Sequence, residues 1–167
     1  MQSQINHIKA TCDKSKTEGL TEVDTHDFTD GRYKDPKSGL GFITDLQNHL
    51  NSSVGKIATV SGRYFAMDRD KRWERIKLAY DCLVKGEGQK ATDAIAAVEQ
   101  SYAANVTDEF IKPTVIVNEA QQPLASIKDG DTAICTNFRT DRCRAIHEVL
   151  TQDNHAAFGL QTLTPHL

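Results

Sequence analysis

Five arginines stand just past apolar stretches of this sequence. Arg32 follows "DG" at 30–31, Arg63 and Arg69 lie in "GRYFAMDR", and Arg139 and Arg142 lie in "NFRTDR". Guanidinium forks grip phosphate and carboxylate with two hydrogen bonds at once, a geometry that lysine does not offer. Gly31 and Gly62 let the backbone turn tightly before Arg32 and Arg63. The spacing alone suggests a site for a small, multiply charged anion. The plainer alternative is a set of solvated charges paired with Asp30, Asp68, Asp70 and Asp141.

Such a site needs elements to assemble it. Apolar periodicity predicts helices over 2–18 (Ile5, Ile8 and Cys12 on one face, stopped by Gly19), 39–50, 72–84 and 141–151. A further helix starts at Thr92 as cap and turns Ile95, Val98 and Tyr102 to the core. Strands are expected at 21–28, 55–62, 113–117, 132–138 and 160–164. "RYFAMDRDKR" reads as a loop, and 118–131 as a hairpin excursion turning at Asp129–Gly130. Strands alternating with helices mean an α/β fold in three layers, with a mostly parallel sheet of about five strands and helices on both faces. In such sheets ligands bind beyond the carboxyl ends of the strands, which is where the arginines fall.

The bulk numbers set limits. With 167 residues the chain can bury one real core, and it reads as a single domain over 1–167. Hydrophobic content of 38% and charged content of 26% suit a soluble globular protein. A net charge of −3 argues against broad binding to nucleic acid or anionic membrane, so an anion site must be a local cluster. No apolar run approaches the roughly 20 residues of a membrane helix, and Met1 is followed at once by polar "QSQ" rather than by a leader. Cys12, Cys82, Cys135 and Cys143 make no CxxC pair, so they read as reduced thiols of a cytoplasmic protein, and no zinc spacing is present.

"TDGR…DPKSG", "GKIATVSGRYFAMDRDKRWERIKLAYD", "TDEFIKP" and "NFRTDR" together resemble the cofactor-independent (2,3-bisphosphoglycerate-independent) phosphoglycerate mutases, over essentially the whole chain. The resemblance is to the inserted substrate-binding domain alone. It implies that Arg32, Arg63, Arg69, Arg139 and Arg142 hold 2- or 3-phosphoglycerate. It also implies that the two manganese ions and the serine nucleophile of the family's ping-pong phosphoryl transfer belong to an alkaline-phosphatase-like domain outside this chain. On that reading the chain carries no cofactor and cannot run the mutase reaction by itself. The face that would meet the phosphatase domain is a candidate for self-association.

The sequence departs from the family pattern near the arginines. Gln2 and Gln4 stand where the family run resembling "GGVHSHINH" has histidines, and Tyr33 replaces the acid of "DGRD". "VDTHDF" stands where an apolar strand is usual, and Thr136 replaces an aromatic residue. These changes suggest an alternative: an engineered protein using the domain as scaffold for a new site near 24–33 and 135–136. His26 would be its base or ligand, oriented by Asp24 or Asp27, although alternation along a strand makes a direct neighbour hard to reach. Cys135, Cys12, Thr136 or Ser3 could act as nucleophile of an esterase-like hydrolase, or a carboxylate–histidine group could take a divalent metal. Against this, His26 reads equally as a packed histidine and Cys135 as a core residue. His7, His49, His147, His155 and His166 read as unclustered surface or helix residues, and Tyr33 as a shield over the arginines.

Overall fold

Two apolar cores, one on each face of a sheet, account for most of the periodic residues. The computed structural model describes residues 3–165, so Gln2 and His166 lie outside the described residues. The first helix, α1 (Ile5–Thr17), brings Ile5, Ile8 and Cys12 onto a core that also takes Ile43, Leu46 and Leu50 from α2 (Gly39–Ser52). Helix α1 stops as expected: Gly19 takes φ +83°, and the amide of Leu20 returns to the Ser15 carbonyl at 3.0 Å. Helix α5 (Ala94–Ala103) adds Ala94, Ala97 and Val98 to this face. Its cap is Asp93, not Thr92: the Asp93 carboxylate accepts from the Ala96 amide at 2.8 Å. Aspartate at the N-cap also suits the helix dipole.

The other face is covered by α4 (Trp73–Tyr80), by the wider π turn Asp81–Lys85 that prolongs it, and by α6 (Thr140–Thr151). Ile76, Tyr80, Leu83, Ile146 and Val149 are its buried centre, with Phe28 of the sheet packed against them. The stretch after Gly62 is not all loop. Arg63–Ala66 forms a single helical turn, α3, directly off the strand.

Four strands make the sheet among the described residues: β1 (Asp24–Thr29), β2 (Lys56–Gly62), β3 (Gln89–Ala91) and β4 (Thr114–Ile116), in the order β1-β2-β4-β3. The pairs β1–β2 and β3–β4 are parallel, and β2–β4 is antiparallel. The α/β class with helices on both faces holds, and the strand count falls slightly below expectation. Residues 133–139 and 161–164 form no ladder among the described residues, whereas polar Gln89–Ala91, unmarked by any alternation, does. Strand β1 is an edge that carries Asp24 and Asp27, and its register slips between Thr25 and His26. An acidic, bulged edge is a poor template for a further strand. Among the described residues no helix is long and apolar enough to cross a membrane.

Candidate functional site

The carboxyl ends of β1 and β2 lie side by side, since Thr29 pairs with Gly62 in their parallel register. The chain leaves β1 through Asp30-Gly31-Arg32 and leaves β2 through Gly62-Arg63. Both exits press on the same short turn, Asp108–Phe110. A Cβ on Gly31, which has φ +62°, would overlap the backbone of Glu109, and one on Gly62 would overlap its carbonyl. The Gly62 amide donates to the Ile111 carbonyl at 2.7 Å, and the Thr29 hydroxyl to the Asp108 carbonyl at 2.6 Å. Asp108 itself is buried. Its carboxylate accepts from the Gly39 amide at the start of α2 (2.7 Å) and from the Tyr102 hydroxyl (2.5 Å). Glycines and this turn therefore set the positions from which Arg32 and Arg63 start.

Arg63 is 2% exposed and forms an ion pair with Asp30. Arg139 and Arg142 come from the first turn of α6 and the residue before it. Asp141 lies between them and binds several guanidinium groups. Its oxygens take Arg139 Nε at 3.2 Å and Nη2 at 2.9 Å, with Arg69 Nη1 at 3.6 Å and Arg142 Nε at 3.9 Å. The Arg139 guanidinium holds the Asp141 carboxyl below the usual carboxylate range. Tyr33 closes the group: its hydroxyl accepts from Arg139 Nη1 at 3.0 Å, and its ring stands 5.2 Å from the Arg63 guanidinium. Tyr33 does shield the cluster. Neighbouring Arg139 also lowers its phenol pKa, through hydrogen bond and charge.

Four of the five expected arginines thus converge. Arg142 is 8% exposed, and its affinity for the proton is lowered first by burial and then by Arg63, Arg69 and Arg139. Its Nε has no hydrogen-bond partner, and Nη1 reaches only the Met67 carbonyl at 3.5 Å. Arg32 is set apart at the exposed rim, with Nε 3.7 Å from Glu109. The reading as plain surface pairs is partly right: Asp30, Asp141 and, 4.0 Å from Arg69, Asp70 are partners, while Asp68 pairs with Arg75 instead, and the arginines served include two buried ones. Sequence reasoning missed the positioning roles of Asp108 and Tyr102, which no spacing rule links to the arginines.

The second set of candidates does not assemble. His26 lies on β1 with Nδ1 2.9 Å from the Thr59 hydroxyl of β2, and burial pushes its pKa down to about 4. Asp27 faces the other way, toward Cys12, whose thiol pKa it helps to raise. The Asp27 Oδ2 and the Thr25 hydroxyl are buried without good hydrogen-bond geometry, and burial raises the Asp27 pKa to about 7. Asp24 is exposed beside Lys56 (3.8 Å), and burial of its carboxyl still raises its pKa. So neither carboxylate orients His26. Ser3 and Thr136 spend their hydroxyls on each other at 3.4 Å.

Cys135 corrects two expectations. It is exposed on an irregular segment, not buried in a strand, and its neighbours are Cys143 and His147 rather than His26. His147, read as unclustered, is therefore part of a group. Among the described residues no set of three or more His, Cys, Asp or Glu side chains is arranged to hold a metal ion.

The fold and site define an α/β domain that gathers arginines, two of them buried, beyond the ends of its parallel strands. The comparisons narrow that class. The family described as "BPG-independent PGAM N-terminus (iPGM_N)" matches residues 1–166, and the chain belongs to it. The chain is 50% identical over 161 residues to the 2,3-bisphosphoglycerate-independent phosphoglycerate mutase of Parabacteroides distasonis, covering 96% of this chain and 32% of that protein. It is 52% identical over 150 residues to the Flavobacterium johnsoniae enzyme of the same name, covering 90% of this chain and 30% of that protein. A Leishmania mexicana phosphoglycerate mutase crystallised at low cobalt concentration superposes with a TM-score of 0.88 at 25% identity, covering 99% of this chain and 32% of that one. The chain therefore spans about a third of the length of these relatives.

Proposed function

We propose that this domain binds 2- or 3-phosphoglycerate at the rim formed by Arg63, Arg69, Arg139 and Arg142, with Arg32 at its edge, as the substrate-holding part of a phosphoglycerate mutase. The observation that carries this reading is Arg142, buried among other arginines with an Nε that makes no hydrogen bond among the described residues and has only the Asp141 carboxylate 3.9 Å away. A buried donor without a partner costs about 1–3 kcal/mol, which a bound oxyanion would recover. A phosphoglycerate brings carboxylate and phosphate groups, which match a set of separated guanidinium forks better than a single-charged ligand would. Asp141 and Asp30 hold the forks in place without the ligand.

The described residues supply binding and orientation. Phosphoryl transfer is assigned on this reading to other parts of the protein. The exposed Leu20, Ile134 and Phe138 would be the contacts for such a part, or for a second copy of the chain. Sedimentation at high concentration distinguishes a monomer from the self-associated form.

Calorimetric titration with 3-phosphoglycerate tests the binding. Saturable heat is expected, lost in Arg63→Ala and sharply reduced in Arg139→Ala, whose side chain is exposed enough to remove without unfolding the domain. Absence of saturable heat from the folded wild-type chain at millimolar ligand would overturn the proposal.

A further inference from the structure

Tyr33 holds a donor that an anion would need, and the inference drawn from it rests on the phosphoglycerate-binding reading above. Arg139 spends one edge of its guanidinium, Nε and Nη2, on the Asp141 carboxylate at 3.2 and 2.9 Å. What remains is the Nη1 end, and there the Tyr33 hydroxyl accepts at 3.0 Å. The ring lies by the same two guanidinium groups, 5.2 Å from that of Arg63 and 5.9 Å from that of Arg139. An uncharged oxygen therefore occupies the position that a carboxylate or phosphate oxygen would take on Arg139.

The side chain has little else to hold it. Tyr33 is 56% exposed and joins none of the apolar cores among the described residues. Its backbone is anchored on the strand side. The Tyr33 amide donates to Asp30 Oδ2 at 3.2 Å, while the other oxygen of that carboxylate pairs with Arg63. Gly31, two residues earlier, is packed against the backbone of Glu109. The loop thus keeps its register with Arg63 while the side chain beyond the anchor can change rotamer. A neutral hydroxyl and a ring face hold a guanidinium less strongly than an oxyanion does, so an arriving anion displaces both.

We propose that Tyr33 is a displaceable cover that sets the affinity of the anion site: its hydroxyl occupies Arg139 in the empty site, and the ligand must take that donor from it and turn the side chain outward. The electrostatics agree with this placement. The Arg139 hydrogen bond, then the Arg139 charge, lowers the phenol pKa, so the hydroxyl oxygen does in part what an oxyanion would do there. The cover keeps Arg139 satisfied without a ligand, whereas Arg142, which Tyr33 does not hydrogen-bond, keeps its Nε without a hydrogen bond.

Calorimetric titration of 3-phosphoglycerate into the wild type, Tyr33→Phe and Tyr33→Ala tests the cover. Tyr33→Phe keeps the ring and removes the hydroxyl, and should bind roughly 2- to 10-fold tighter, the worth of about one hydrogen bond. Tyr33→Ala removes the whole cover and should bind at least as tightly as Tyr33→Phe. In the wild type with isotope-labelled tyrosine, the ring signal that is absent from the Tyr33→Phe spectrum should move, at saturating ligand, toward the position of a tyrosine in an unfolded chain. Circular dichroism confirms that each variant is folded. Equal or weaker binding in Tyr33→Phe overturns the cover and leaves the phosphoglycerate reading standing. A ring signal that stays in place at saturation overturns it as well. If 3-phosphoglycerate gives no heat in any of the three proteins, the phosphoglycerate reading fails, and inorganic phosphate is titrated in its place. Tighter phosphate binding in Tyr33→Phe then upholds the cover, and equal, weaker or no binding overturns it.

Discussion

The arginine rim and strand β1 both bury ionisable groups within a few residues of each other, and they solve the problem in opposite ways. At the rim the charges stay. Asp30 partners Arg63, Asp141 gathers Arg69, Arg139 and Arg142, and Tyr33 covers the remaining face. On β1 the charges leave. Asp27 holds its proton toward neutrality and His26 loses its own, because burial outweighs the Thr25 hydrogen bond at Asp27 and the Asp131 charge at His26. The contrast shows which region is built for a ligand. A group kept charged by neighbours can meet an anion without reorganising. A group that has discharged itself is part of the core, and it records its presence as pH dependence.

The sharpest way to break the rim is to remove its compensation. Asp30→Asn removes the charge that Asp30 sets against buried Arg63 and should cost about 3 kcal/mol, read as a lower urea midpoint. On β1 the same change of type should have the opposite sign. Asp27 has a folded pKa of about 7 against an ordinary value of about 3.9, so the native state binds more protons between those values and loses stability as pH rises through that window. Asp27→Asn should therefore raise stability at pH 8 by on the order of 2–3 kcal/mol and abolish that decline. No gain at pH 8 in urea denaturation would mean that Asp27 finds a charged partner after all.

His26 acts against Asp27. Its pKa falls from 6.5 to about 4, so the unfolded chain binds more protons there and stability is lost as pH drops through that window. In the wild type the two slopes oppose each other between about pH 4 and 6.5, leaving a flat profile. His26→Gln, which keeps a partner for Thr59, should leave the Asp27 decline uncompensated, with a slope of roughly 1 kcal/mol per pH unit. A profile as flat as that of the wild type would remove His26 from the account. The smallest effect belongs to the rim's cover. Tyr33→Phe deletes an exposed hydroxyl and should change stability by less than about 0.5 kcal/mol. It should still alter 3-phosphoglycerate binding in calorimetry, because Arg139 Nη1 is released.

Helices and the arginine positions were legible because each leaves a local mark: an apolar stripe such as Ile5, Ile8 and Cys12, or a glycine before Arg32 and Arg63. The missing ladder at 133–139 was not legible. "AICTNF" has strand composition, but a strand needs an edge to join, and the acidic, bulged edge of β1 offers a poor one. Conversely, Gln89–Ala91 pairs with β4 without an apolar pattern, because its place in the sheet is set by the elements on either side. The Cys135–His147 contact was hidden for the same reason. Nothing in sequence says which face of α6 the preceding segment will lie on. His26 and Asp27, adjacent and suggestive in sequence, end on opposite faces, as strand geometry demands.

The turn at Asp108–Phe110 meets Arg32 through Glu109, and it acts as a common ruler for two of the arginines. Gly31 and Gly62 are both in backbone contact with it, and Asp108 fastens it to the start of α2 and to α5 through Tyr102. The loops bearing Arg32 and Arg63 therefore share one reference point and cannot drift apart independently. Whatever displaces that turn would carry both guanidinium groups together, so the span between them is inherited from the scaffold rather than adjusted by the ligand.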